Sequence, residues 1–430
     1  MKYFGTDGIR GIPNEQLTIS LATALGMALS ELGEGPIYIG TDTRTSKDML
    51  SCALIAGCLS NGLDVHFLGV ISTPGLIYLS KLQQATGVMI TASHNPAKYN
   101  GIKVVRNGNK LSPKQEEQLE YLIDHPSYSF QKTGKCFYSK HFLKEYHKHL
   151  LDHLNSSHFK IALDCANGST YQTAPLIFNL VTSSLVLIGN HPDGTNINEE
   201  CGATDIKQLS SVVTSQECDF GIAFDGDGDR IILVDRNGNC IDGDSILYIL
   251  ALYLKSVNKL KDNTVVLSVM SNLGVIQSMK RHGIRVIETP VGDKHIGKVL
   301  SENKYSLGGE SSGHIILADM STTGDGILVA LKIISILEET HTRLEDWISD
   351  ITYYPDSLQN LVVKDKKKVM GDPLRNEIEL MKKELNQDCK ILVRPSGTED
   401  CIRVSVMAKT KQLVQEYKER LISYIRLLDA

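Results

Sequence analysis

A serine hydroxyl stands beside a histidine in Thr91-Ala92-Ser93-His94-Asn95-Pro96, between the apolar run Val88, Met89, Ile90 and a helix-breaking proline. An exposed Ser next to a His is a candidate phosphoryl or acyl carrier. Ser, Asn and Pro together are also ordinary turn chemistry. Two further segments weigh the choice. In Asp225-Gly226-Asp227-Gly228-Asp229-Arg230, three carboxylates alternate with glycines. They repel one another unless a cation joins them. Converged on Mg²⁺, they would leave coordination positions open for phosphoryl oxygens. An acidic hairpin turn is the plain alternative. An EF-hand would need Gly at its sixth position and Glu at its twelfth, where Arg230 and Arg236 stand. The third segment, Arg394-Pro395-Ser396-Gly397-Thr398-Glu399 with Arg403 beyond it, supplies guanidinium groups, hydroxyls and a flexible backbone. These suit a phosphate cradle, or else a serine-glycine turn that follows an arginine. A nucleophile loop, a carboxylate loop and a cradle share one chemistry, metal-assisted phosphoryl transfer.

Two more polar loops fit that chemistry. Gly308-Gly309-Glu310-Ser311-Ser312-Gly313-His314 offers Glu and Ser to sugar hydroxyls, or is simply a hairpin connection. Arg10, among the glycines of Gly5-Thr6-Asp7-Gly8-Ile9-Arg10-Gly11, could reach a transferring phosphate or pair with a carboxylate. Rival chemistries fare worse. Gly292 to Val299 approximates a nucleotide-binding P-loop, but Val299 replaces the Ser/Thr that should hold Mg²⁺. No Gly-x-Gly-x-x-Gly opens a βαβ unit, which argues against a dinucleotide oxidoreductase. A haloacid-dehalogenase-like phosphatase could use Asp225 as nucleophile with Asp227, but leaves Ser93 and 394–403 unexplained.

The elements that must position these loops alternate along the chain. Runs at 36–40, 63–69, 87–91, 160–164, 185–189, 219–225, 264–270 and 284–288 read as short buried strands, and 48–61 reads as a helix. They predict three α/β units of about 100 residues each, with the look of structural repeats. The chain end differs: a helix over 372–385, strands over 390–393 and 402–407 and a closing amphipathic helix predict an α+β domain. The expected domains are 1–150 with the Ser93 loop, 151–245 with the carboxylate loop, 246–355 with the Glu310 loop, and 356–430 with the cradle. His149 and His153 are spaced i, i+4, but Leu150 stands where a zinc protease has Glu, so a solvated inter-domain helix is expected there. Lys364-Asp365-Lys366-Lys367-Lys368 reads as a solvated turn.

With 430 residues, 42% of them hydrophobic and 22% charged, the chain is sized for several globular domains. A net charge of −5 gives no general nucleic-acid-binding surface. No basic n-region precedes an apolar stretch at the start, and no apolar run has membrane-spanning length. Nine scattered cysteines without Cys-x-x-Cys fit reduced, cytoplasmic thiols.

Taken together, the segments resemble the α-D-phosphohexomutase superfamily from Tyr3 to Arg403, in the family's order. Within it the chain looks most like the phosphoglucosamine mutase branch, through Tyr3-Phe4-Gly5-Thr6-Asp7-Gly8-Ile9-Arg10-Gly11, through Pro192-Asp193-Gly194-Thr195-Asn196-Ile197-Asn198 continuing to Cys201-Gly202-Ala203-Thr204-Asp205, and through the doubled glycine before Glu310. It departs from the usual pattern at Ser311 (usually Gln), Asp400 (usually Pro) and Lys294 (usually Arg). The resemblance implies three similar mixed-sheet α/β domains and a smaller α+β domain around a central cleft. It implies a phosphoserine at Ser93. One Mg²⁺ per chain would be held by Asp225, Asp227, Asp229 and the Ser93 phosphate. Glu310 and Ser312 would hold sugar hydroxyls. Arg394, Ser396, Gly397, Thr398 and Arg403 would hold the non-reacting phosphate, while Arg10, Lys103 and His314 assist transfer. The implied activity interconverts glucosamine 6-phosphate and glucosamine 1-phosphate, with a hexose 1,6-bisphosphate as intermediate and activator. A phosphomannomutase/phosphoglucomutase with the same machinery is the alternative. The implied partner is a small phosphosugar, with no nucleic acid or membrane, and the sequence is compatible with a homodimer.

Overall fold

Strands Ile37–Thr41 (β1), Val65–Val70 (β2), Thr86–Ile90 (β3) and Asn100–Arg106 (β4) form the middle of an eight-stranded sheet. The structure, a computed structural model, describes every residue except Met1, Thr6, Glu34 and the segments 127–131, 153–155 and 396–400. β1 and β3 are buried at every position because helices cover both faces of the sheet. Their side chains alternate accordingly. Ile37, Ile39, Val88 and Ile90 pack with Leu25 and Leu54, whereas Tyr38 and Met89 pack with Leu76 and Leu79. Leu25 lies on helix Ile19–Ala28 (α1) and Leu54 on helix Lys47–Ser60 (α2). Strands covered on two sides read as unbroken apolar runs, which is how the sequence presents them.

The strand order is β2-β1-β3-β4, with the first three parallel and β4 antiparallel to β3. That order recurs. Lys160–Asp164 (β5), Ser184–Ile188 (β6), Phe220–Phe224 (β7) and Ile231–Asp235 (β8) are ordered β6-β5-β7-β8, with only β8 antiparallel. Thr264–Ser268 (β9), Arg285–Thr289 (β10), Leu307–Gly309 (β11) and Ile315–Leu317 (β12) are ordered β10-β9-β11-β12, again with only the last antiparallel. The connection from the third to the fourth strand carries Ser93 in the first sheet. It carries the three aspartates in the second, and Glu310, Ser312 and His314 in the third. The repeats expected from the sequence are thus real at the level of topology, and each delivers its candidate loop from the same strand junction.

The C-terminal sheet is different. Cys401–Ala408 (β15) lies between Asp356–Val362 (β13) and Cys389–Pro395 (β14), antiparallel to both. Ile391, Val404 and Val406 pack against Leu374 and Met381, and against Leu421 and Ile425. The first pair lies on helix Asp372–Glu384 and the second on helix Lys411–Asp429.

The chain forms two compact units, Met1–Met270 with Ile284–Ser349, and Ser271–Gly283 with Asp350–Ala430. The helix that follows β9 in sequence, Leu273–Arg281, therefore belongs to the C-terminal unit. Asn272 Nδ2 donates to Tyr354 O at 2.9 Å, and Gln277 Nε2 donates to Asp388 Oδ1 at 2.9 Å. A Cβ on Gly274 would sit 1.8 Å from Thr352 O, so only glycine permits that approach.

Three local expectations need correction or limits. The charged stretch 364–368 is not a plain turn: Lys366–Val369 is one helical turn, and Asp365 caps it by accepting from the N–H groups of Lys367 and Lys368. Arg10 lies on strand Gly8–Gly11, paired antiparallel with β4 opposite Gly101, rather than in a loop. Helix Leu143–Leu151 forms where a solvated helix was expected, but it buries Tyr146 and Leu150, and His149 stacks on Tyr78; His153 lies outside the described residues.

Candidate active site

Ser93 is buried and held at φ 53°, a left-handed conformation uncommon for a residue with a side chain. Its N–H donates to Thr91 Oγ1 at 2.9 Å. Its Oγ donates to Asp225 Oδ2 at 2.7 Å and lies 3.3 Å from His94 Nδ1. Two loops from two sheets thus meet hydroxyl to carboxylate. The approach depends on Gly226, where a Cβ would lie 2.6 Å from Ser93 O. Burial pushes the His94 imidazole down to about 4, helped by the positive Arg230 and Arg10, so this ring is neutral near pH 7.

Asp225, Asp227 and Asp229 are all buried, with ligand oxygens within 4.8 Å of one another. Burial, then the charges of Asp227 and Asp229, push the Asp225 carboxyl well above its ordinary range. Burial presses on Asp229 too, but Lys103 and His314 outweigh it and hold its carboxyl below the ordinary range. The Lys103 ammonium supplies the compensating charge, 2.8 Å from Asp227 Oδ2, 3.4 Å from Asp229 Oδ2 and 2.9 Å from Asp7 Oδ2. Thr73 Oγ1 donates to Asp227 Oδ2 at 2.6 Å. Asp227 Oδ1 and Asp229 Oδ1 are buried without a hydrogen-bond donor. Hydrogen bonding leaves those two oxygens unsatisfied, as a site built for a divalent cation would.

The third loop closes on the second, since Ile231 N–H donates to Gly313 O at 3.1 Å. His314 is buried, with Nδ1 3.7 Å from Asp229 Oδ1 and Nε2 3.5 Å from Asp293 Oδ2. Glu310 Oε1 accepts from Gly292 N–H at 3.0 Å. Ser312 Oγ is buried with no hydrogen-bond partner, a hydroxyl in want of one. Arg10 donates to Asp7 Oδ2 at 2.9 Å, so Asp7 carries both Arg10 and Lys103. In the C-terminal unit, the strand register sets Arg394 directly opposite Arg403. Ser396, Gly397 and Thr398 lie outside the described residues.

The sequence reading missed several residues here. Asp7 sits inside the opening glycine segment but was not singled out. Lys110 reaches Asp7 Oδ1 at 2.7 Å and Asp293 Oδ2 at 2.5 Å, linking the first and third sheets of the N-terminal unit. Arg44 and Asn198 hold the Ser93 loop by its backbone, Asn198 Nδ2 donating to Ser93 O at 2.9 Å. Partners 49 to 183 positions apart, or carbonyls common to all residues, leave no local sequence signal.

Comparison with known proteins fits this geometry. Residues 1–129, 137–238 and 242–354 match the alpha/beta/alpha domains I, II and III of the phosphoglucomutase/phosphomannomutase family, and 358–423 match its C-terminal domain. The chain is 42% identical to the phosphoglucosamine mutase of Geobacillus kaustophilus, over 99% of this chain and 98% of that one. It is 42% identical to that of Bacillus subtilis with the same coverage. The chain belongs to the phosphoglucosamine mutase family. It is accordingly an enzyme of the phosphohexomutase type, an intramolecular phosphotransferase in the isomerase class. Solved structures agree on the fold. A phosphoglucomutase/phosphomannomutase family protein from Burkholderia thailandensis superposes with TM-score 0.82 at 20% identity, over 98% of this chain and 97% of that one. The N-acetylphosphoglucosamine mutase of Aspergillus fumigatus, in complex with GlcNAc-6P and magnesium, superposes with TM-score 0.66 at 16% identity, over 100% of this chain and 96% of that one.

Proposed function

We propose that the chain interconverts glucosamine 6-phosphate and glucosamine 1-phosphate, with Ser93 as the phosphoryl carrier. The observation that supports this reading most is the 2.7 Å contact of Ser93 Oγ with Asp225 in a buried carboxylate triad. In the first half-reaction the C1 hydroxyl of glucosamine 6-phosphate attacks the Ser93 phosphoryl group. The new O1–P bond forms, the Ser93 Oγ–P bond breaks, and the proton that the sugar hydroxyl loses is balanced by the one that Ser93 Oγ takes up. The product is the 1,6-bisphosphate. In the second half, the reoriented bisphosphate passes its 6-phosphoryl group to Ser93 Oγ: the Oγ–P bond forms, the O6–P bond breaks, O6 takes up the proton that Oγ loses, and glucosamine 1-phosphate leaves. A trace of hexose 1,6-bisphosphate charges Ser93 by the same second step.

Positioning and charge do most of the work in phosphoryl transfer. Lys103 and Arg10 bring positive charge to the Ser93 side. Mg²⁺ held by Asp225, Asp227 and Asp229 would supply positive charge to phosphoryl oxygens. Ser312 and Glu310 would take sugar hydroxyls, with His314 beside the transferring group. Arg394 and Arg403, with Ser396, Gly397 and Thr398, would hold the phosphate that is not reacting. Buried thiols such as Cys58 and Cys165 suit a reducing, cytoplasmic compartment. No helix among the described residues is long and apolar enough to cross a membrane.

The test incubates the protein with Mg²⁺, a trace of glucose 1,6-bisphosphate and glucosamine, glucose or mannose 6-phosphate, and follows the 1-phosphates by ³¹P NMR. Preference for the amino sugar is expected. Equal or better turnover of the plain hexoses would transfer the assignment to a phosphomannomutase/phosphoglucomutase, and free phosphate alone would overturn the carrier mechanism.

A further inference from the structure

Arg44 has no solvent exposure and no route to a substrate, yet every N–H of its guanidinium is used. Nε donates to Asp42 Oδ2 at 2.9 Å. One terminal nitrogen donates to Pro96 O at 2.6 Å and Tyr99 O at 3.0 Å. The other donates to Ser93 O at 3.0 Å and Asn95 O at 2.7 Å. Four of the five donors thus gather backbone carbonyls of one loop, the loop that carries Ser93. Asp42 completes the network: its Oδ2 also accepts from Thr91 Oγ1 at 2.7 Å, and Thr91 Oγ1 in turn accepts the Ser93 N–H at 2.9 Å.

Four carbonyl dipoles do not converge of their own accord, because their negative ends repel. A buried planar cation with donors in a fixed fork is what lets them do so. The consequence falls on Ser93. Its carbonyl and its N–H are both tied into this network, which over-determines its left-handed backbone and sets its Oγ toward Asp225. Asp42 cancels the charge of Arg44 at 2.9 Å, so the effect on Ser93 is one of geometry rather than of field.

We propose that Arg44, with Asp42 and Thr91, is a positioning network that holds Ser93 in the one backbone conformation from which its hydroxyl can accept and donate a phosphoryl group. This rests on the carrier reading of Ser93. Phosphorylation places a group of about −1.5 to −2 charges on that hydroxyl. Carbonyls 93 and 95, if released, could turn toward it and repel it. Arg44 holds both carbonyls by hydrogen bonds, at 3.0 Å and 2.7 Å.

The test compares wild type, Arg44→Lys and Thr91→Val. Lysine keeps the charge beside Asp42 but has three donors on a point-like group, so it cannot gather four carbonyls. Valine keeps the shape of Thr91 and removes its hydroxyl. Three quantities are read: kcat and KM for glucosamine 6-phosphate, the single-turnover rate of Ser93 phosphorylation by glucose 1,6-bisphosphate followed by intact mass, and the melting temperature. For Arg44→Lys, kcat and the phosphorylation rate should fall together by roughly 100-fold, the scale set by a misplacement of about 1 Å at a reacting centre. KM should stay within about threefold of wild type. Thr91→Val should move the same two rates in the same direction. A merely structural role would lower the melting temperature and leave kcat per folded molecule unchanged, and that result overturns the proposal. If Arg44→Lys does not fold, Thr91→Val decides, and wild-type kcat in it overturns the proposal. Wild-type protein that turns over without phosphate on Ser93 overturns the carrier reading and the network's role together.

Discussion

Lys103 touches Asp7, Asp227 and Asp229 with one buried ammonium group. Its charge offsets that of the carboxylates around it, and it would oppose a cation that arrived there. Removing it should therefore act in opposite directions on two measurements. Lys103→Met should bind Mg²⁺ roughly tenfold more tightly by titration calorimetry, since a nearby like charge is gone, and should lose kcat by roughly 10²-fold or more, since positive charge near the phosphoryl group is gone. Weaker Mg²⁺ binding in the variant would mean that Lys103 chiefly orients the carboxylates. Ser93→Ala should lower turnover by about 10⁴-fold or more, because no other hydroxyl replaces a carrier, while its melting temperature stays near wild type. Residual activity close to wild type would end the carrier reading. The sequence displays Ser93 and the three aspartates because their types and spacing are themselves the chemistry. It hides Arg44, Asn198 and Lys110, whose value lies in what folding brings to them.

Helices α1 and α2 cross where a Cβ on Gly57 would lie 2.1 Å from Thr23 O, and one on Gly26 would lie 2.3 Å from Leu54 O. Gly57→Ala should destabilise the fold by about 1–3 kcal/mol, read as a lowered denaturation midpoint, because two backbones must separate. A neutral effect would mean that the helices shift at little cost. A second element carries a pH signature. Asp325 caps helix Gly326–Thr340, accepting from Leu328 N–H at 3.0 Å, and Tyr146 Oη donates to it at 2.9 Å. Burial pushes its carboxyl up to about 6. The folded state then holds this proton more tightly than the unfolded chain does. The resulting stabilisation is fully present below the unfolded pKa near 4 and is lost as pH rises through about 6, roughly 3 kcal/mol in all. Asn keeps the cap and has no proton to lose. Asp325→Asn should therefore gain up to roughly 3 kcal/mol on wild type between about pH 4 and pH 7 in urea titrations, and a gap that does not change with pH counts against this origin. Strands such as β3 were legible because both their faces are buried. Their lateral order was not, because period and composition say nothing of which strand lies beside which. The helical turn at Lys366–Val369 was misread because three lysines obscured the cap that Asp365 makes.

Across the whole molecule, one strand order occurs three times, and each time the turn into the antiparallel fourth strand bears side chains of the proposed site. The sequence showed the alternation of elements but not this identity, which lives in pairing rather than in residue type. The C-terminal unit breaks the pattern, and it also recruits helix Leu273–Arg281 from between β9 and β10. That borrowed helix governs how this chain can be recombined with its relatives. Its face, through Asn272, Gly274 and Gln277, has been fitted to residues 352–388, which arrive some 80 positions or more later. A chimera that exchanges 350–430 alone inherits a mismatched partner, whereas one that exchanges 271–283 as well keeps the pair intact. The second should melt several degrees higher than the first. The unit of exchange in this chain is thus a block that the linear order of its gene does not delimit.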